Sequence, residues 1–413
     1  MKDKLTSLEK SWVLYDVGNS AFTLMISTII PIFFKNYASS EGMSAANSTA
    51  IWSYTLSIAT AIVAVLGPVL GRMADEKGKK RKFFTFFLIM GCIGCFVLGI
   101  VQQWILYLLV FLVARVGYSS SLVFYDSMLT DVTTDDRVDR VSSSGFAWGY
   151  IGSCIPFILC LLLVLMPDTF GITMPTAIFI SFTIVTVWWF GSAVPLLKQY
   201  RQNHYNENIE KKTFASIYNN LKLTLHKVRQ NKTIATFLIA YFFYIDGVFT
   251  IIEMATSYGK DVGISDTDLV LALLLTQVVA FPFAILYGRL AKKFETKKLI
   301  CSCIGGYILI VLFALQLDKA WEFWFLAVCV AVFQGAIQAL SRSYFARIIP
   351  KDNSNEYFGF YDIFGKGAAF FGTLMMGIVT QATGSSTYGV ATLLILLVVG
   401  LYFMFKVPSV KND

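Results

Sequence analysis

Residues 12–35 read WVLYDVGNSAFTLMISTIIPIFFK, part of an apolar run from Ser11 to Phe34 in which Asp16 is the one charged side chain. The hydrocarbon core of a bilayer accepts roughly 20 apolar residues of helix. This run is too long for the apolar core of a signal peptide, and it lacks a small-residue cleavage site. We therefore predict that it is retained as the first membrane-spanning helix, span 1.

Eleven further windows have the same length and apolar character, which predicts twelve spans in total. The predicted spans are 12–35, 48–70, 83–102, 104–127, 142–166 and 172–195, followed by 233–259, 268–291, 298–317, 320–345, 357–381 and 386–406. The pattern predicts an all-α membrane protein with two six-helix bundles. We place the amino-terminal bundle at 1–195, a cytoplasmic linker at 196–232 and the carboxyl-terminal bundle at 233–413.

The composition excludes most enzyme classes. Apolar residues make up 56% of the 413 residues and charged residues 15%, against about 45–50% and about 25% in soluble chains. Both histidines, His204 and His226, lie in the polar linker, which argues against imidazole catalysis and His-built metal sites. All seven cysteines lie in apolar runs, so we interpret them as structural. We expect no cofactor, no metal and no enzymatic activity.

The basic residues predict the orientation in the membrane. The net charge of +8 comes from short clusters between apolar runs rather than from a stripe that would bind nucleic acid. If the amino terminus is cytoplasmic, 29 of the 34 Lys and Arg lie on that side and three lie outside. By the positive-inside rule, both termini of this multi-pass protein face the cytoplasm, in what we expect to be a bacterial cytoplasmic membrane. Helical spacing from Phe214 to Val228 predicts an amphipathic linker helix on the inner face, with Lys211, Lys212, Lys222 and Lys227 turned toward lipid headgroups.

Each half carries a basic loop between its second and third spans. The first loop reads GRMADEKGKK over residues 71–80, and the second reads GRLAKKFETK over 288–297. Corresponding loops in two six-span halves are typical of a duplicated transporter. The first loop resembles the G-x-x-x-D-[RK]-x-G-[RK]-[RK] motif of the major facilitator superfamily, with matches at Gly71, Asp75, Gly78, Lys79 and Lys80. Glu76 stands where a base is usual, and the second loop is degenerate.

A narrower resemblance covers nearly the whole chain. It is to the vacuole-effluxer-like branch of that superfamily, the autophagy-related protein 22 type. The segments that carry it are Trp12 to Phe22, Ser121 to Leu129, Asp139 to Gly152, Tyr241 to Tyr258, Gln334 to Pro350 and Glu356 to Lys366. The resemblance implies a permease that moves amino acids or similar zwitterions. It also implies that Asp75 contacts the start of span 11 as part of a cytoplasmic gate, and that Lys366 has a role in span 11.

Charged side chains inside spans are costly and need a reason. In span 7, Asp246 lies 14 residues beyond Lys232, which is roughly 21 Å along a helix and near mid-membrane. Glu253 follows at i+7 on the same face, so the two carboxylates could carry protons, neutralise a cationic substrate group or bind Na⁺. The competing interpretation is structural, because Gly247 follows Asp246 and indicates close helix packing.

Other polar groups complete the predicted substrate path. Asp16 and Asn19 share one face of span 1, where Asp16 could bind substrate or staple the inner end of the bundle. Arg115, near mid-depth in span 4, suits a substrate carboxylate. Lys366 is a counter-charge that Asp362, one turn earlier, could instead neutralise locally. The predicted substrate-binding residues are Asp16, Asn19, Arg115, Tyr118, Tyr150, Tyr244, Asp246, Gln277, Gln334, Gln338 and Lys366. We assign proton coupling to Asp246, Glu253 and Asp362. Asp126 and Asp131, near the inner end of span 4, are expected to bind Arg137 and Arg140.

These features predict a secondary transporter with one small-solute site between the halves, working by alternating access. We favour an amino acid or a similar zwitterion, coupled to H⁺. The alternatives are a multidrug or organic-ion efflux permease and an uncoupled facilitator. A membrane-embedded lipid or acyl transferase is disfavoured because no span contains histidine or a nucleophile motif. Expected partners are the solute and the lipid bilayer, and we expect a monomer.

Overall fold

The computed structural model describes residues 4–43, 45–207 and 225–408, and the described residues form helices and loops. In the first half the helices are α1 (Ser7–Ser27), α2 (Ile29–Ser40), α3 (Ala45–Ala74), α4 (Lys80–Leu98), α5 (Trp104–Val132), α6 (Val138–Leu165) and α7 (Met174–Gln199). In the second half they are α8 (Lys232–Asp261), α9 (Asp266–Leu290), α10 (Thr296–Ala314), α11 (Ala320–Ile348), α12 (Ser354–Thr383), α13 (Ser386–Ala391) and α14 (Leu393–Lys406).

Local sequence sets the helix ends. The α1 helix begins with a capping box, in which Thr6 accepts from the Glu9 amide and Glu9 accepts from the Thr6 amide. Span 1 is broken at Thr28, whose φ of −131° and ψ of −77° separate α1 from α2. Pro31 lies in the first turn of α2, where backbone N–H groups have no partner within the helix, so its missing N–H costs nothing there. It could not donate a hydrogen bond to the preceding turn if α1 continued through this position. The predicted single span is therefore two helices.

Eleven described segments are long and apolar enough to cross a membrane. The predicted span 11 is the exception: α12 is a 30-residue helix that carries Glu356, Asp362 and Lys366. This helix packs against α3, α5 and α8. The helix therefore has neighbouring helices, rather than lipid alone, around it, and twelve membrane-length crossings remain the arrangement of the chain.

The helices pack as two groups with two main contacts between them. Within the first half α1 packs on α6 and α7, and α4 packs on α5; within the second half α9 packs on α11, and α8 packs on α14. Between the halves, α3 packs on α12 and α6 packs on α9. These pairs join the second span to the eleventh and the fifth to the eighth, so exchanging the halves converts one pair into the other. That is the pairing expected for a duplicated bundle related by a pseudo-two-fold axis.

The predicted linker helix falls mostly on residues 208–224, including Lys211, Lys212 and Lys222, and lies outside the described residues. Residues 225–230 are helical, with Lys227 exposed and Val228 buried. The preceding stretch, 200–207, lies against the first half. The Gln202 side chain donates to the Ala74 carbonyl, and the Asn206 amide donates to the Asp75 carbonyl.

Candidate substrate path and gate

Asp246 is fully buried between α8 and α12. Its Oδ1 accepts hydrogen bonds from the Gly372 amide at 2.8 Å and from the Thr250 hydroxyl at 3.4 Å. Its Oδ2 is also buried and has no hydrogen-bond partner among the described residues. Gly372 leaves the space that this contact needs, because a Cβ at that position would lie 2.6 Å from Asp246 Oδ1. Asp246 is thus both a helix-packing residue and a carboxylate with one oxygen that no described residue pairs.

Glu253 and Arg115 belong to different halves and interact electrostatically. Glu253 is exposed on α8, two turns beyond Asp246, with which it also interacts electrostatically. Arg115 is half-buried on α5, and its guanidinium lies 5.6 Å from the centroid of the Tyr118 ring. An acidic group of the second half and a basic group of the first half are therefore close enough to interact electrostatically.

The carboxyl-terminal half contains a cavity of about 110 Å³. Most of its lining is apolar; its polar lining residues are Thr250, Thr276, Gln277 and Gln334. Two of the predicted substrate-binding glutamines therefore line one cavity. All of its lining residues belong to the second half, so this cavity is not the space between the halves.

Tyr150 and Gln338 connect the halves near the centre. The Gln338 amide nitrogen donates to the Tyr150 hydroxyl at 3.3 Å and to the Gln334 carbonyl at 3.2 Å. Two other tyrosines that we predicted to bind substrate instead bond to side chains of neighbouring helices. Tyr118 pairs its hydroxyl with Thr23 at 2.7 Å, and the fully buried Tyr244 pairs its hydroxyl with Ser341 at 2.6 Å. Tyr244 in particular has its polar atom satisfied inside the carboxyl-terminal half.

Arg342 is the centre of a buried ionic cluster that the sequence interpretation missed. Its guanidinium donates to Asp16 Oδ2 at 3.2 Å, to Asp126 Oδ1 at 3.0 Å and to the Ser142 side chain at 3.0 Å. Asn19 donates to Asp16 Oδ1 at 3.3 Å. Asp16 and Asn19 are therefore in contact with each other, and Asp16 also binds Arg342 from α11 of the other half. Arg342 lies inside the predicted span 320–345, but it is not among the predicted substrate-binding or coupling residues.

The prediction that Asp126 and Asp131 bind Arg137 and Arg140 was wrong. Asp126 binds Arg342, and Asp131 accepts from Lys80 at 2.8 Å and from the Tyr200 hydroxyl at 2.5 Å. Arg137 instead binds Glu9 at 2.6 Å. The acids were placed beside bases that are near in sequence, whereas the fold supplies bases from α4 and α11.

The first basic loop touches the start of α12. Asp75 is buried, and its carboxylate accepts from the Asn355 amide at 3.0 Å, the Asn355 side chain at 2.7 Å and the Glu356 amide at 3.1 Å. It thereby satisfies amides at a helix amino terminus. Burial raises the pKa of Asp75 from 3.8 to about 7, although Lys80 favours the charged form. The contact implied by the resemblance is present, and its role as a gate stays a prediction.

The other predicted gate residues differ in their contacts. Gly71 lies so close to α12 that a Cβ there would be 2.5 Å from the Asn355 carbonyl oxygen, and Gly78 has a φ of +71°. Lys80 is fully buried and also donates to Ser354 at 3.0 Å, across the halves. Lys79 pairs with Glu76 of its own loop at 2.6 Å.

Asp362 is half-buried on α12 and interacts electrostatically with Asp126 of the first half. The side chain of Lys366 lies outside the described residues, so its predicted pairing with Asp362 and its predicted contact with the solute stay predictions. The electrostatic interaction with Asp126 places Asp362 beside the Arg342 cluster.

Comparisons with known proteins agree with this architecture. A profile of the family described as "Vacuole effluxer Atg22 like" matches residues 7–412. The chain is 43% identical to the uncharacterized MFS-type transporter YxiO of Bacillus subtilis, over 99% of this chain and 96% of that protein. It is 21% identical to autophagy-related protein 22 of Kluyveromyces lactis, over 95% of this chain and 91% of that protein.

Solved structures show the same fold at low sequence identity. The transporter FucP in the outward conformation superposes with a TM-score of 0.73 at 12% identity, covering 98% of each chain. The human organic anion transporter MFSD10 superposes with a TM-score of 0.71 at 10% identity, covering 96% of this chain and 99% of that chain.

Proposed function

Because the chain belongs to the Atg22-like vacuole effluxer family and is a membrane transporter of the major facilitator superfamily rather than an enzyme, we propose that it moves a small zwitterionic solute, with an amino acid as the favoured case. We propose further that transport is coupled to H⁺ and runs by alternating access between the bundles 1–195 and 233–413. The observation that carries the proposal is that Arg115 and Glu253, which belong to different halves, interact electrostatically.

A zwitterion carries a carboxylate and an ammonium group on one small molecule. A guanidinium binds a carboxylate through two parallel hydrogen bonds, and a carboxylate binds an ammonium group. Arg115 and Glu253 supply these two groups from opposite halves, so a bound zwitterion would draw the halves together at this depth. The half-buried Gln277 and the buried Gln334 would add uncharged hydrogen bonds.

Asp246 is the favoured proton carrier. A buried charge with an unpaired oxygen is expensive, and a proton on Oδ2 would remove that cost. Glu253, exposed two turns away, offers a route between Asp246 and water. Asp362 is the third carboxylate we assign to proton movement, since it lies near the closed part of the path and interacts with Asp126.

Alternating access follows from the position of the contacts. We call the end with residues 71–80 and 288–297 the basic-loop end, and by the positive-inside rule we propose that it faces the cytoplasm, with both termini. The contacts of Asp75, Lys80 and Arg342 between the halves hold this end closed. Transport then requires these contacts to break while the opposite end closes.

The test is transport into proteoliposomes under an imposed pH gradient. A thermal-shift screen of amino acids, peptides, nucleosides and cationic drugs first selects the solute. Wild-type protein should then accumulate an amino acid when the gradient is present, and the Asp246→Asn, Glu253→Gln variant should lose that coupling. Asp318→Asn is the matched control, because its side chain is 70% exposed and pairs only loosely with Lys319 at 4.0 Å.

The outcomes also separate the alternatives. Accumulation that is unchanged in the double variant would refute the proposed carriers. Equilibration without accumulation would indicate an uncoupled facilitator. Selection of a cationic drug or an organic ion in the screen, with outward movement, would replace the zwitterion by the efflux-permease alternative.

A further inference from the structure

We propose that Arg342 is a second carboxylate-binding site for the transported solute, used when the basic-loop end opens and occupied by Asp16 and Asp126 in the present state. The proposal rests on the transport function proposed above and adds a second station to it. Arg115 would bind the solute carboxylate in the present state, and Arg342 would bind it in the opposite state.

The partners of Arg342 all lie in the other half. Arg342 belongs to α11 and is 4% exposed, while Asp16 is on α1, Asp126 is on α5 and Ser142 is on α6. The guanidinium also lies over the rings of Trp12 at 4.6 Å and Phe146 at 4.3 Å, both in the first half. A movement that separates the halves at this end therefore removes the hydrogen-bonding and aromatic partners of Arg342 together.

A guanidinium cannot lose its charge, so it needs a replacement partner when those partners leave. Two carboxylates and the Ser142 side chain and carbonyl now accept four of its hydrogen bonds. A solute carboxylate can accept two of these hydrogen bonds in a bidentate arrangement, and water can accept the others. Because the solute binds only after Asp16 and Asp126 have left, its binding favours the state open at the basic-loop end.

The two aspartates complete the recognition of a zwitterion. When Arg342 leaves, Asp16 keeps only Asn19 among its described hydrogen-bond partners. Asp126 loses its bond to Arg342 and remains beside Asp362. The two carboxylates that lose Arg342 favour a cation in the newly opened space, and the ammonium group of a zwitterion supplies one. The ion pairs of Arg342 with Asp16 and Asp126 are therefore replaced by ion pairs with the two charged groups of the solute.

The experiment measures opening of the basic-loop end as a distance between two spin labels. Asp136→Cys and Lys293→Cys place the labels on exposed loops of different halves. Cys301 and Cys329, the two partly exposed cysteines, are replaced by Ser. The probes are acetate, glycinamide and glycine, which carry a carboxylate alone, an ammonium group alone and both, at constant ionic strength. Acetate and glycine should increase the open population, and glycine should do so at a lower concentration than acetate or glycinamide because it supplies both charges.

Matched variants separate ligand binding from latch strength. Arg347 lies on the same helix and also crosses the halves, donating to Asp139 at 2.7 Å. Arg342→Gln and Arg347→Gln should both raise the open population without solute, but only Arg342→Gln should lose the response to acetate. Arg342→Lys keeps the charge and the latch, and the acetate concentration for half of the change should rise about tenfold because bidentate binding is lost.

Each outcome bears on the proposal. An acetate response in Arg342→Gln, an equal response in Arg342→Lys and wild type, or no response of the wild type to acetate and glycine would overturn it. If the transport assay shows no proton coupling but acetate opens the wild type through Arg342, the carboxylate site stands without the coupling mechanism. If coupled transport is measured and the label distance ignores acetate and glycine, the second station fails alone.

Discussion

Asp75 caps Asn355 from the opposite half of the molecule, accepting hydrogen bonds from its backbone amide at 3.0 Å and from its side-chain amide at 2.7 Å. The end of α3 is thereby tied to the start of α12. Ser127 of α5 also bonds the Asn355 side chain, so one asparagine joins three helices. Breaking this contact exposes helix-terminal amides and a buried carboxylate in the same step, which makes it suited to a two-state latch.

The latch should weaken as the pH rises. Burial raises the pKa of Asp75 to about 7 in the closed state, while an open state exposes the carboxyl and returns its pKa toward 3.8. The closed state therefore binds the proton more tightly: the contribution is full below about pH 4 and is lost as the pH rises through about 7. The ratio of closed to open molecules, measured with the labels at positions 136 and 293, should fall over this window by up to about tenfold per pH unit.

Asp75→Asn is the control for that pH dependence. It removes the titrating group while keeping one acceptor oxygen for the amides of Asn355 and Glu356. The difference between the wild-type and variant curves isolates Asp75 from Glu356, Lys80 and His204, which lie at the same end. A wild-type curve that is flat between pH 4 and 8, or that rises with pH, would contradict the prediction.

Lys80 and Lys79 should differ strongly although they are adjacent. Lys80→Met leaves the buried Asp131 carboxylate without its ammonium partner at 2.8 Å, so we expect a loss of about 3–5 kcal/mol in stability. Lys79→Met removes a partly exposed pair with Glu76, worth at most about 1 kcal/mol. Thermal unfolding of the purified variants measures both. Equal losses would show that burial of Lys80 does not decide its contribution.

Gly372→Ala should impair coupled transport. A Cβ at this position would contact the Thr250 hydroxyl and approach Asp246 Oδ1 within 2.6 Å, so Asp246 would have to move. We expect accumulation under a pH gradient to fall at least about tenfold, since displacement of about 1 Å at a functional group has effects of this size. Gly377→Ala on the same helix has no atom within 4 Å and is the control. Normal coupling in Gly372→Ala would exclude a role for the Asp246 contact.

Gly359→Ala should open the contact between α3 and α12. Its Cβ would lie 2.7 Å from the Gly67 carbonyl carbon, and backbone atoms cannot rotate away. Overpacking of this kind costs about 1–3 kcal/mol. Gly305→Ala, which meets no atom within 4 Å, should stay within about 1 kcal/mol of wild type. The readouts are thermal unfolding and the open population, and a variant as closed as the wild type would contradict this reading of the contact.

The span count was predictable because membrane helices must satisfy their backbone internally and bury apolar side chains in lipid, requirements that act on contiguous sequence. The predicted windows 48–70 and 357–381 lie within α3 (Ala45–Ala74) and α12 (Ser354–Thr383), which extend a few residues further at each end. The length of an apolar window reflects the thickness of the bilayer's hydrocarbon core, whereas the helix itself continues until a capping residue, a glycine or a proline ends it. The break at Thr28 required the actual backbone angles, although Pro31 was a visible signal.

For the site, the sequence by itself determined which side chains are unusual: Asp16, Arg115, Asp246 and Glu253 stand inside apolar windows where charges are costly. The tertiary structure alone decided which of them meet. Arg342 lies near the end of the predicted span 320–345, where a base is common at the membrane surface, yet the packing of α11 brings it to Asp16, 326 residues away in the chain. Hydropathy is a property of neighbours in sequence, but ion pairing depends on distances between helices, which only the packing of the two halves sets.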